Sequence, residues 1–209
     1  MSIDLGVLYR AARVRIGELV SRPTTDPDLP VPATPRWTVH DVVAHVSGVA
    51  ADGTSGNMAG APGEEWTAAQ VQRSANRSIA ELLEEWERTG QLMEGFLSSP
   101  AGVNASAAVM DIHTHEADLR HALGVPLEVP DDFLEWAGAA LRDGFADAVA
   151  AAGLPPVQVT APDVEWFRGR LGRRTEAEVR GFDWSAEPGP YLDAFFIFGR
   201  AEQSLGERP

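Results

Sequence analysis

The sequence predicts a mainly α-helical protein, with a four-helix bundle over residues 1–126 and a small α+β domain over residues 127–209. Two observations lead to this fold class. Before residue 126, apolar residues recur every three or four positions in four successive segments, as they do along the buried face of a helix. Beyond it, one more helical segment is followed by short stretches of mixed helical and extended character.

The four N-terminal segments have the lengths and connections that are typical of a four-helix bundle. Thr38, with Asp41 three residues later, predicts a capped start for the second helix. Gly124, with Pro126 just beyond it, predicts the end of the fourth helix. The predicted helices cover about residues 5–19, 38–49, 64–97 and 103–123.

The C-terminal part is predicted to begin with a helix from Phe133 to Gly153, which Pro155 and Pro156 terminate. Residues 157–160 then alternate apolar and polar side chains, as a strand does. Short helical and extended pieces follow over residues 167–198. We therefore expect a small α+β domain after the bundle.

The composition excludes several partners and several kinds of chemistry. The net charge is −14, so a nucleic-acid backbone or an anionic membrane surface would be repelled. The chain has no cysteine and no lysine, which removes a cysteine nucleophile, thiolate metal ligands and a Schiff-base lysine. The first residues lack the basic and apolar regions of a signal peptide, so we expect a soluble, cytoplasmic protein.

Two predicted helices place metal-ligand side chains on their apolar faces. His45 lies in the apolar stripe of the second helix, and Asp111 and His115 lie one turn apart in that of the fourth. Two imidazoles and a carboxylate form the ligand set of open metal sites, where water or substrate takes the remaining positions. The alternative is that Asp111 only hydrogen-bonds a buried histidine, and the spacing leaves both interpretations open.

Other polar residues near these three have less certain roles. His40, His113 and His121 are expected to point away from the stripe, with His40 in solvent. Asp118 follows His115 by three residues and either orients its imidazole from outside the ligand set or pairs with a surface arginine. Trp37 and Trp66 either line the mouth of a pocket or, as we expect, pack between helices.

Four segments resemble one known family. The chain "TPRWTVHDVVAHVSG" (Thr34 to Gly48) resembles the signature of the mycothiol-dependent maleylpyruvate isomerase family, a branch of the DinB-like metal-binding bundles. "EWTAAQVQRSANRSIAELLEEW" (Glu65 to Trp86) is similar to its third helix, and "DIHTHEADLRHALG" (Asp111 to Gly124) to its second metal-binding segment. "GRLGRRTEAEVRGFDWSAEPGPYL" (Gly169 to Leu192) is similar to the C-terminal segment of actinobacterial members.

This resemblance implies a DinB-like bundle in which His45, Asp111 and His115 hold a divalent metal, expected to be zinc. It also implies mycothiol as the thiol cosubstrate of an isomerase or a thiol transferase. At position 111 we expect the family to carry Glu, whereas this chain has Asp. Because the side chain is one methylene shorter, the helix must approach more closely or the metal will bind more weakly.

In the reaction that the resemblance implies, the mycothiol thiolate adds to an unsaturated keto acid and is expelled after rotation about the former double bond. Arg173 and Arg174 are our candidates for a catalytic clamp on the substrate carboxylate. The alternative is that the basic cluster to which they belong pairs with acidic residues on a solvated face. The cluster is Arg168, Arg170, Arg173 and Arg174, and the acidic residues are Glu165, Glu176 and Glu178. Two other functions stay open: hydrolysis by metal-bound hydroxide, and a non-catalytic metal- or ligand-binding protein.

Overall fold

The computed structural model describes residues 3–207 as a mainly helical protein with a small two-stranded sheet towards the C-terminus. This confirms the predicted fold class. Contacts group the chain into two units, the first ending at Pro126 and the second beginning at Leu127. Among the helices of the described residues, none combines the length and the apolarity that crossing a membrane requires.

Four helices of the first unit form the bundle, and one shorter helix, the third along the chain, lies beside them. The first helix packs against the fourth and the fifth, and the second helix packs against the same two. The short third helix packs against the second. The helices are α1 (Leu5–Val20), α2 (Val39–Ser55), α3 (Glu64–Ser74), α4 (Ile79–Leu97) and α5 (Ser106–Ala122).

The apolar stripes of the bundle helices meet in its core, where burial of each large side chain contributes about 1.5–3 kcal/mol. Trp86 of α4 is fully buried, and its indole Nε1 donates to the hydroxyl of Tyr9 on α1, 3.1 Å away. This hydrogen bond satisfies the polar end of an otherwise apolar contact. Other residues of this core are Ala12, Ile16, Val42, Val46, Leu82, Ile112 and Leu119.

The prediction of a single long helix over residues 64–97 is wrong, because the helical structure is interrupted between α3 and α4. Ser78 caps α4: its hydroxyl accepts from the Glu81 N–H, and the Glu81 carboxylate accepts from the Ser78 N–H at 2.7 Å. This reciprocal capping box satisfies the N–H groups of Ser78 and Glu81, which would otherwise need carbonyl acceptors in a preceding helical turn. The break frees α3 to pack against α2.

Two predicted helix ends are confirmed by their local geometry. Thr38 accepts from the N–H of Asp41, and the Asp41 carboxylate accepts from the N–H of Thr38, so that α2 begins with the predicted capping box. Gly124 has a φ of +64°, a conformation that favours glycine, just beyond α5. One detail differs: the start of the predicted fourth helix is a 3-10 turn, Gly102–Ala105, that precedes α5.

The second unit combines one long helix with short elements around an aromatic core. Its two strands pair antiparallel, with Val159 opposite Trp184. Phe145, Trp166 and Phe195 pack with their rings 5.3–5.7 Å apart in this core. The elements are α6 (Asp131–Ala151), β1 (Val159–Thr160), α7 (Asp163–Arg170), α8 (Glu176–Arg180), β2 (Asp183–Trp184), a 3-10 turn (Gly189–Tyr191) and α9 (Leu192–Phe195).

Candidate metal centre

The structure brings the three predicted ligands together where α2 packs against α5. His45 Nε2 lies 3.4 Å from the Asp111 carboxylate oxygens, and His115 Nε2 lies 3.5 Å from Oδ1 of the same carboxylate. One ligand atom from each residue lies within 4.8 Å of the others. Asp111 therefore reaches both imidazoles despite its short side chain.

The three side chains differ in their exposure. The residues His45 and His115 are only 4% and 5% exposed, whereas the side chain of Asp111 is 33% exposed. The two imidazole rings stand edge to face, with their centroids 5.0 Å apart. The site is thus anchored in the bundle by the histidines and opens towards solvent on the Asp111 side.

Both imidazoles are held from behind by a hydrogen bond at Nδ1. Oδ2 of Asp118, a fully buried carboxylate, lies 3.1 Å from His115 Nδ1. Oε1 of Gln70, a buried residue of α3, lies 2.7 Å from His45 Nδ1. In both histidines the remaining nitrogen, Nε2, is the atom that faces Asp111. Asp118 thus contacts the His115 imidazole, as the first of its two predicted roles requires.

The charges of the site favour a cation between the three side chains. Burial alone would raise the pKa of Asp111, but the imidazoles of His45 and His115 outweigh it and hold that pKa well below its usual range. Burial alone would lower the pKa of His115, but Asp111 and Asp118 outweigh it and raise that pKa to about 9. At neutral pH the metal-free site therefore keeps a proton on His115, and a metal ion can replace it.

Trp37, just before α2, covers the two histidines. Its ring centroid lies 5.1 Å from that of His45 and 5.8 Å from that of His115. Trp66 of α3 is buried instead, and its Nε1 donates to the Asn57 carbonyl at 3.0 Å. Trp66 thus packs between helices as expected, whereas Trp37 lies beside the candidate site.

The remaining histidines lie outside the trio. His40 was expected in solvent, but its side chain is only 15% exposed and its Nε2 lies 2.7 Å from the Arg77 carbonyl. That expectation was wrong because the turn between α3 and α4 covers this face of α2. His113 is buried, with Nδ1 2.9 Å from the Val109 carbonyl one turn earlier in α5.

Gln70 is the site residue that the sequence reasoning missed. Its partner His45 lies 25 positions earlier, on another helix, so no local spacing links the two. A weaker signal was present: Trp66, Gln70 and Ser74 follow each other at intervals of four, and all three are buried. A glutamine within a buried helical stripe needs a polar partner.

In the second unit, the two arginines proposed as a clamp have internal partners. Arg174 is buried and donates to Glu165 at 2.7 and 2.9 Å and to Glu207 at 2.9 Å. Nη1 of Arg173 donates to the Leu171 carbonyl at 2.6 Å. The pairing of Arg174 with Glu165 is one of the alternatives that the sequence left open.

Comparison with known proteins gives one family. The family model described as the mycothiol maleylpyruvate isomerase N-terminal domain matches residues 9–120. The match contains His45, Asp111 and His115 as well as Gln70 and Asp118. No curated protein and no solved structure matches the chain. Since the matched residues make up more than half of the 209, the chain belongs to the family of the mycothiol maleylpyruvate isomerase N-terminal domain.

Proposed function

We propose that the bundle binds one divalent metal through His45, Asp111 and His115 and uses it to activate the thiol of mycothiol. The single observation that supports this most is the direction of the two imidazoles. Both turn Nδ1 to an acceptor, Gln70 or Asp118, and turn Nε2 to the same carboxylate. In the metal-free site a proton on His115 holds these groups together, and a metal ion in its place would bind both Nε2 atoms and the carboxylate.

The distances from Asp111 to the two imidazoles fit a small tetrahedral ion. Ligands about 2.0–2.2 Å from a tetrahedral zinc lie about 3.3–3.6 Å from one another. The Nε2 atoms of His45 and His115 lie 3.4 and 3.5 Å from the Asp111 oxygens. Two imidazole nitrogens and one carboxylate oxygen also suit zinc and leave a coordination position open. We therefore propose zinc as the metal.

The chemistry proposed for this site relies on a thiol from outside the protein. A bound divalent cation would lower the pKa of a coordinated thiol, as it does that of water. The chain has no cysteine, so it cannot place a thiolate of its own on the metal. Asp111, the most exposed of the three, lies on the side from which mycothiol would enter, and Trp37 offers an apolar surface beside the two histidines.

We propose a small electrophile or unsaturated acid as the second substrate, with isomerisation or S-transfer as the reaction. The carboxylate clamp by Arg173 and Arg174 remains a prediction. Arg174 already binds two carboxylates, Glu165 and Glu207, so it would have to release one of them to bind a substrate. A test of substrate binding would substitute each of the two arginines in turn. Cytoplasmic localisation also remains a prediction.

Elemental analysis of the purified protein tests the metal site. We expect about one zinc per chain in the wild type and in His121→Ala, which changes a histidine of α5 outside the trio. His45→Ala and His115→Ala should each lose the metal. A wild type that neither contains zinc nor takes it up would contradict the proposal.

Loading the site with cobalt tests the thiol. Adding mycothiol to the cobalt form should produce an intense sulfur-to-metal absorption band. An analogue of mycothiol in which a hydroxyl group replaces the thiol should not produce it. Metal without that band would favour hydrolysis by metal-bound hydroxide or a non-catalytic role. The band would justify a screen of unsaturated acids and electrophiles for turnover.

A further inference from the structure

A buried chain of polar side chains leads from His45 away from the candidate metal site. Gln70 is completely buried, with Oε1 2.7 Å from His45 Nδ1 and Nε2 donating to Asp52 Oδ2 at 2.8 Å. Asp52 is 3% exposed and also accepts from Asn57 at 2.9 Å and from Arg73 at 2.7 Å. These hydrogen bonds thus connect α2 to α3 and end at the carboxylate of Asp52, which is paired with Arg73.

The direction of these hydrogen bonds is set from the Asp52 end. An ionised carboxylate only accepts, so the amide NH₂ of Gln70 must face Asp52. The amide oxygen then faces His45, and because that oxygen also only accepts, His45 Nδ1 must donate. A neutral imidazole with its proton on Nδ1 presents a lone pair at Nε2, and this is the atom that faces Asp111.

We propose that Gln70 is a positioning residue that holds His45 in the Nδ1–H tautomer, with Asp52 keeping the Gln70 amide in the required orientation. This proposal rests on the proposed metal site. In that site it makes Nε2 of His45 available to the cation before the cation arrives. Gln70 acts through His45 and does not itself touch the metal.

The choice of an amide rather than a carboxylate at position 70 fits the charges of the site. Asp111 and Asp118 already place two carboxylates against the imidazoles of the site. Asp52 is paired with Arg73. Because Gln70 is neutral, it links Asp52 to His45 without adding another negative charge beside the metal. A leucine would fill similar volume but could not set the tautomer.

Gly48 of α2 provides an independent way to disturb the same contact. A Cβ at this position would lie 2.9 Å from both Cβ and Cγ of Gln70. Those atoms are the near end of the side chain, so α3 or the whole Gln70 side chain would have to shift. Gly48 thus permits the approach of α3 that brings Gln70 within reach of His45.

The test measures zinc affinity by competition with a chromophoric chelator. Gln70→Leu should raise the Kd for zinc about 10- to 100-fold, the usual effect of losing a partner that orients a metal-bound histidine. Gly48→Ala should raise the Kd in the same direction. Asp52→Asn should have a smaller effect, since the Gln70 amide can then rotate between two orientations. Gln72→Leu changes an exposed glutamine of the same helix and should match the wild type.

Nitrogen-15 NMR of the imidazoles reports which nitrogen of His45 carries the proton. A merely structural role for Gln70 would not affect this tautomer. In the metal-free wild type, where no zinc ion fixes the tautomer, His45 should carry its proton on Nδ1, and this proton should exchange slowly with water. In metal-free Gln70→Leu the same proton should exchange faster. A metal-free wild type in which His45 carries its proton on Nε2 and not on Nδ1 would overturn the proposal without any variant having to fold.

The outcomes separate this inference from the proposed function. Zinc binding that is lost in His45→Ala but unchanged in a folded Gln70→Leu would overturn the role of Gln70 and leave the metal site intact. A wild type that binds no zinc would overturn both. If Gln70→Leu does not fold by circular dichroism, Gly48→Ala and the wild-type NMR spectrum decide.

Discussion

The response of the site to pH can be predicted in sign and in magnitude from His115. Its carboxylate neighbours raise its pKa from 6.5 to about 9, a difference of about 2.5. At about 1.36 kcal/mol for each unit of pKa, this corresponds to about 3 kcal/mol. The metal-free protein has this stabilisation in full below pH 6.5, where His115 is protonated in both the folded and the unfolded state, and it loses it as the pH rises through 9.

Zinc binding should follow the opposite trend. The ion must displace the proton from His115, so below pH 9 each unit of pH should strengthen zinc binding about tenfold. Rising pH therefore weakens the metal-free fold and strengthens the metal complex. Both trends come from the same proton.

Two assays check this reasoning. Chemical denaturation of the metal-free protein at pH 6.5 and pH 9 should show a loss of about 3 kcal/mol in the free energy of unfolding beyond that of His115→Gln, which lacks the titrating group. Chelator competition between pH 7 and 9 should give the tenfold change in Kd per pH unit. A zinc Kd that does not vary over this range would show that zinc displaces no proton from His115.

Three further substitutions test other parts of the structure. Asp118→Asn removes the carboxylate behind His115 and should raise the zinc Kd about 10- to 100-fold by chelator competition, with no change counting against it. Ser78→Ala removes the cap of α4 and should cost about 1 kcal/mol in urea unfolding; an unchanged midpoint would contradict the cap. Arg174→Ala removes the arginine partner of Glu165 and leaves Glu207 with Arg168 alone, and it should cost about 3–5 kcal/mol, whereas Arg180→Ala, at the surface, should cost under about 1 kcal/mol.

The parts of the site that the sequence predicted are those that depend on a single helix. Asp111 and His115 lie on one face of α5 because they are one turn apart. His45 shares the buried stripe of α2, and Thr38 and Asp41 mark where that helix begins. Helical periodicity and capping are local properties, so they can be read from neighbouring residues.

The parts that the sequence did not predict depend on how helices pack. Gln70 hydrogen-bonds His45 because α3 is not continuous with α4 and packs against α2. The same interruption between α3 and α4 brings the Arg77 carbonyl to His40. The break itself had a local signal in Ser78 and Glu81, which the apolar periodicity on either side obscured. In the second unit, Arg174 binds Glu207, 33 positions away, at a separation that no helical spacing can predict.

X-ray absorption at the zinc edge tests directly whether the metal binds the thiol of mycothiol. The zinc-loaded protein should show only nitrogen and oxygen ligands, about 2.0–2.2 Å from the metal, and mycothiol should add one sulfur at about 2.3 Å. Since the chain has no cysteine, a sulfur at that thiolate distance would come from mycothiol. We expect this sulfur in the wild type and no bound zinc in His115→Ala. Zinc that keeps the same ligands after mycothiol is added would contradict the proposed activation of the thiol.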